Sequence, residues 1–166
     1  MKCVSVSTEE EIRALAQIAD EIWHEYWPDH IGLAQTEYMV DRFQSEGALT
    51  QAIFEEGYSY YILEDEDRIL GYTGVKVEKE EHRLFLSKLY LFEPERGKGY
   101  ASEALRFLEL LCWKESLSSI YLTVNKGNDL AIGAYEAMGF DIVDSVEADI
   151  GGGFIMDDYI MEKLIS

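Results

Sequence analysis

The residues with the most chemical content are Arg96-Gly97-Lys98-Gly99-Tyr100-Ala101-Ser102, set between an apolar run and an amphipathic one. Before them, Leu84-Phe85-Leu86-Ser87-Lys88-Leu89-Tyr90-Leu91-Phe92 reads as a strand. After them, Ala101, Ala104, Leu105, Leu108, Leu111 and Cys112 recur at helical spacing on one face. A glycine turn that opens a helix leaves backbone N–H groups unpaired at the positive end of the helix dipole. Such a site binds anions, and a phosphate or pyrophosphate is its usual occupant. Gly97 and Gly99 carry no Cβ, so the backbone can approach that ligand closely.

The spacing separates several kinds of phosphate loop. A Walker loop needs Gly-Lys followed by Ser or Thr, but Gly97-Lys98 is followed by Gly99. A dinucleotide fingerprint needs a third glycine where Ser102 stands. What fits is Arg-x-x-Gly-x-Ala at Arg96, Gly99 and Ala101. A second segment follows, with Leu122-Thr123-Val124-Asn125 leading through Asn128 and Ala131 to Ala134-Tyr135 and Gly139-Phe140. Together, in this order and at this distance, the two segments resemble the pyrophosphate motif and the following helix of the GNAT N-acetyltransferase superfamily, over roughly residues 84–140.

The resemblance implies an α/β fold of the GNAT acyl-CoA N-acyltransferase type, with a mixed sheet, splayed central strands and helices on both faces. It also implies acetyl-CoA as cofactor and a primary amine as acceptor, the two meeting directly in a ternary complex. An amine with a pKa near ~10 must lose a proton before it attacks a thioester. The attack builds an oxyanion that needs a placed donor, and the departing thiolate needs a proton. By resemblance, backbone N–H groups from Gly97 to Ser102, including those of Lys98, Tyr100 and Ala101, would hold the pyrophosphate. Leu89, Tyr90 and Leu91 would pair with pantetheine, with an N–H near Leu91 polarising the thioester carbonyl. Asn128 would touch the cofactor arm, and Tyr135 would protonate the thiolate. As plain residues, Asn128 is also a good helix cap and Tyr135 a core tyrosine.

The general base is not given by the motifs. Relatives often carry a glutamate on the strand before the loop; here Ser87 stands at that position and could only order a water. Further candidates around the acceptor are Asp29 and His30 early in the chain and Asp157 and Asp158 near its end. Histidine exchanges protons near neutrality, and an acidic pair suits a cationic amine. No metal is expected. The absent strand carboxylate favours one alternative, a non-catalytic acyl-CoA-binding domain, and the open acceptor leaves another, a protein N-acetyltransferase.

Composition bounds these readings. At 166 residues the chain is expected to be one domain, 1–166. Its 33 acidic and 14 basic residues give a net charge of −19, which argues against nucleic-acid binding. That field would concentrate amines, polyamines among them, and repel an anionic cofactor, so the cations at Arg96 and Lys98 stand out. No apolar run approaches the ~20 residues of a membrane helix, and the N-terminus does not read as a signal peptide. Two cysteines make no disulfide framework, so cytoplasm is the expected location, with Cys112 a core thiol. Many relatives of this kind pair as homodimers, so the resemblance allows a homodimer here.

The elements that must position the site follow from periodicity. A strand at 4–6 precedes a capping box at Thr8-Glu9-Glu10-Glu11 and a helix bearing Ile12, Leu15, Ala19, Ile22 and Trp23. Pro28 ends that helix, 29–32 reads as a loop, and Thr36 is expected to cap a second helix. A third short helix ends near Gly57. Strands are expected at 58–64, 69–77, 83–92, 119–125, 140–150 and 154–165, with helices at 100–115 and 129–138.

Overall fold

In a computed structural model that describes residues 1–165, the chain runs β1 (Lys2–Ser5), α1 (Glu9–Tyr26), α2 (Pro28–Ile31), α3 (Leu33–Gln44) and α4 (Glu46–Phe54). It continues through β2 (Tyr58–Asp65), β3 (Arg68–Glu78), β4 (Arg83–Leu91), a 3-10 turn (Glu93–Glu95) and α5 (Tyr100–Glu115). The last elements are β5 (Ser119–Asn125), α6 (Asp129–Ala137), β6 (Asp141–Gly151) and β7 (Phe154–Leu164). Ser166, the last residue of the expected domain, lies outside the described residues.

The strands form one seven-stranded sheet in the order β1-β2-β3-β4-β5-β7-β6. Among the described residues only β4 and β5 run parallel, joined by the α5 crossover. Helices cover both faces, as expected. On one face Ile12, Leu15, Ile22 and Trp23 of α1, Met39 of α3 and Leu49 of α4 bury Tyr60, Ile62 and Tyr72. On the other, Leu105, Leu108 and Cys112 of α5 and Ile132 of α6 bury Leu84, Leu86, Ile120, Leu122 and Met161. Cys112 is fully enclosed there, and burial pushes its thiol up to about 11, so it is a core residue.

The expected capping box is present. Thr8 Oγ1 accepts from the Glu11 N–H at 3.1 Å, and the Glu11 carboxylate accepts from the Thr8 N–H at 2.9 Å. Residues 28–31 are not a loop. Pro28 cannot continue α1, but its fixed φ suits the first position of a new turn, and it opens α2. Thr36 does not cap α3. The cap is Gly32, and Thr36 lies inside the helix with its hydroxyl returned to the Gly32 carbonyl at 2.8 Å.

The feature that makes the site is a one-residue irregularity in β4. Gly74 of β3 pairs with Lys88 and Val75 with Leu86, so Ser87 is a bulge without a partner. Before the bulge Leu84 and Leu86 face α5; after it Leu91 faces α5, while Tyr90 turns to α1. The extra residue inverts the alternation and bends the strand. Pairing between β4 and β5 stops at Phe85 and Tyr121, although both strands run on. A wedge-shaped gap opens between them.

Candidate functional site

The gap is the mouth of a cavity of ≈ 580 Å³. Its edge along β4 is open backbone. The Phe92 N–H bonds the Leu70 carbonyl, so even positions face β3 and odd ones face the gap. Leu89 and Leu91 therefore present N–H and C=O groups that no strand covers. At its far end lies the glycine turn. Gly97 (φ 76°) and Gly99 (φ 87°) hold left-handed backbone that other residues adopt poorly, and a Cβ on either would meet nothing within 4 Å. Gly99 caps α5 without any side-chain bond, so the first N–H groups of the helix stay free. Ala101 and Ser102 line the cavity beside them, as does Tyr100.

The two cations expected to neutralise an anion are both engaged by groups of the chain itself. Lys98 Nζ bonds Glu95 Oε1 at 2.9 Å, and Lys98 is not on the cavity wall. Arg96 lines the cavity, but its Nε donates to the Leu91 carbonyl at 3.2 Å and it pairs with Glu25 at 3.5 Å. Glu95 is nearly buried and also takes Arg68 at 2.9 Å. Bonds from Lys98 first and Arg68 next hold its carboxyl below the usual range. The loop's charges thus brace the loop, and its backbone dipoles are what point outward.

Tyr135 of α6 lines the cavity, edge-on to Phe140 at 5.5 Å between ring centres. Burial pushes its phenol well up, and nearby Tyr26 adds to the shift, so it stays protonated across neutral pH. Tyr90 behaves likewise for the same main reason. Asn128 is buried on the same wall, with Oδ1 accepting from the Ala131 N–H at 3.2 Å, which is the cap its sequence suggests.

Of the acceptor candidates Asp29, His30, Asp157 and Asp158, one lies on the cavity wall. Asp158 lines the cavity at 7% exposure, with Oδ1 buried and without a partner. Burial, with Asp157 next, pushes its carboxyl up to about 6. Asp157 is exposed and pairs with Lys126 at 2.9 Å. Asp29 and His30 sit exposed on α2, off the cavity wall; the His30 ring stacks by Tyr26 at 4.7 Å. Ser87 lines the cavity and accepts from Lys88 Nζ at 2.8 Å.

The sequence reading missed Lys88 and the aromatic wall of Trp23, Tyr26 and Trp27. A lysine inside the apolar run at 84–92 was the available signal. Trp23 is fixed from beneath: its indole N–H donates to Tyr72 Oη at 2.7 Å, and Tyr72 donates to Gln44 Oε1 at 2.7 Å. Burial alone pulls the Lys88 ammonium down to about 8.

Solved structures share this architecture. A PaiA N-acetyltransferase from Thermoplasma acidophilum, in complex with coenzyme A, aligns with a TM-score of 0.78 at 19% identity, over 99% of each chain. A variant of the spermidine N-acetyltransferase SpeG from Vibrio cholerae aligns at 0.70 and 18% identity, over 100% of this chain and 96% of that one. At these identities the likeness is one of fold, and the fold is that of the GNAT N-acetyltransferases. In sequence, the uncharacterised N-acetyltransferase YycN of Bacillus subtilis (strain 168) is 33% identical over 84 residues, 49% of this chain and 54% of YycN. The chain thus spans about half the length of that curated relative. The profile described as the acetyltransferase (GNAT) family matches residues 19–140, and the chain belongs to that family.

Proposed function

We propose that this protein is an acetyl-CoA-dependent N-acetyltransferase acting on a primary amine of a small molecule. The observation that carries the reading is the gap between β4 and β5, which joins an uncovered strand edge to an uncapped helix N-terminus. The residues fit the cofactor: open space over Gly97 and Gly99 suits a diphosphate, and the strand edge at Leu89 and the Leu91 N–H, uncovered by any strand, suits an amide-bearing arm. Backbone N–H groups from Gly97 to Ser102 would hold the diphosphate, and Asn128 would meet the arm. Bound there, acetyl-CoA supplies an acetyl group activated as a thioester.

The chain's own residues divide the remaining work. Asp158 takes the proton from the acceptor's ammonium, since its raised carboxyl is ionised at neutral pH yet basic enough to accept. Tyr135 keeps its Oη proton until the sulfur needs it. Trp23, Tyr26, Trp27 and Tyr90 exclude water around both groups. The two solved relatives named for N-acetyl transfer, one of them to spermidine, support a small-amine acceptor. The test is free thiol released from acetyl-CoA with a panel of primary amines. Acceptor-dependent release above hydrolysis supports the reading, and acetyl-CoA binding without release to any amine overturns it in favour of a binding domain.

A further inference from the structure

We infer that Lys88 is an anion anchor on the acceptor side of the cavity, so that the preferred acceptor is a primary amine that also carries a carboxylate, as an amino acid does. The inference rests on the transferase reading and narrows its substrate class.

Three observations carry it. The Ser87 bulge turns Lys88 away from α5 and toward α1, where Nζ lies 6.0 Å from the Trp23 ring on the wall of the cavity. Without the bulge the side chain would enter the α5 core. Next, the ammonium has no carboxylate partner among the described residues, and its one hydrogen bond goes to the neutral Ser87 Oγ at 2.8 Å. Elsewhere in this acidic chain Arg68, Arg83, Lys98, Lys126 and Lys163 each touch a carboxylate. An ammonium has three donors, and on this half-buried side chain only one is taken, so a carboxylate of a bound molecule would find two donors free on the cavity wall. Lastly, Asp158 lines the same cavity without pairing with Lys88. Opposite charges held apart around one aromatic volume match a molecule that is itself positive at one end and negative at the other.

The same placement disfavours a polyamine, whose second ammonium would meet Lys88. The acidic surface acts at long range and attracts any cation, whereas the wall charge decides what seats.

The experiment compares acceptors that differ only in the carboxylate: L-lysine with cadaverine, and L-phenylalanine with phenethylamine. Values of kcat/KM are measured for the wild type, Lys88→Met and Lys88→Arg, and calorimetry of each acceptor into CoA-loaded protein ranks them without chemistry. The wild type is expected to favour the amino acid in each pair. Lys88→Met loses about 10–100-fold on amino acids and much less on the bare amines, and Lys88→Arg keeps the preference, as expected for a charged hydrogen bond. A wild type that favours the bare amines overturns the inference. So does a Lys88→Met loss equal on both members, which assigns Lys88 to the acetyl group or the proton. Acetylation without carboxylate preference sinks this inference alone, whereas no acetylation of any amine sinks the transferase reading and this inference with it.

Discussion

Asp158 and Tyr135 are both displaced from ordinary acidity by burial, in ways that suit opposite tasks. A carboxyl at about 6 is ionised at neutral pH, and a raised phenol is not. In the wild type, log kcat/KM is expected to be level above about pH 6, where the acceptor's ammonium meets an ionised Asp158, and to fall below it as Asp158 gains a proton. Asp158→Asn should remove that break and lower kcat/KM by about 10². A profile with the same break in both proteins contradicts the assignment. The sign for stability is opposite. The folded carboxyl titrates above its usual value, so the folded state holds the proton longer and stability falls as pH rises from about 4 through 6. Asp158→Asn should therefore be more stable at pH 7.5, by an amount of order 1–3 kcal/mol, read from urea unfolding. Tyr135→Phe tests the other half: kcat should drop about 10²-fold while the Kd for acetyl-CoA holds, and an unchanged kcat with chemistry limiting would return Tyr135 to the core.

The elements place these groups through contacts that periodicity does not encode. The glycine turn, the α5 face and the Asn128 cap are legible in the sequence because each is local: a few residues, one spacing, one consequence. The bulge at Ser87 is not, since it arises from pairing with β3 far along the chain, and Lys88 cannot be assigned to a face without it. Asp158 and Asp157 are indistinguishable as neighbours in sequence; β7 pleating buries one and exposes the other. Lys98 is marked for an anion by its position in the sequence, but Glu95 three residues earlier claims it. The strand edge also depends on close packing. A Cβ on Gly71 would overlap the Tyr90 carbonyl oxygen and approach Leu91 Cα to 2.8 Å, displacing the stretch of β4 proposed to pair with the cofactor. Gly71→Ala is expected to cost about 1–3 kcal/mol by chemical denaturation and to weaken CoA binding in the folded protein. Wild-type stability together with wild-type affinity would show that β4 has slack there.

For the whole molecule, the charge of −19 opposes an anionic cofactor, and the loop's cations are internally paired. In the proposed binding mode the diphosphate would be held by neutral N–H groups at short range, which salt barely screens, while the long-range repulsion is screened well. Affinity for CoA should therefore hold or rise as ionic strength increases from about 0.02 to 0.2 M, measured by calorimetry. A steep fall would mean that free cations dominate binding. No helix among the described residues is long and apolar enough to cross a membrane.

The most direct measurement quantifies CoA and acetylated amine in the same reaction, for the wild type and for Gly99→Asp. That substitution forces strained backbone and sets a carboxylate where the diphosphate would lie. Equal amounts of both products from the wild type, and loss of both in the variant with its fold intact by circular dichroism, are the predicted result. CoA released without acetylated amine, or full turnover by Gly99→Asp, would contradict the account.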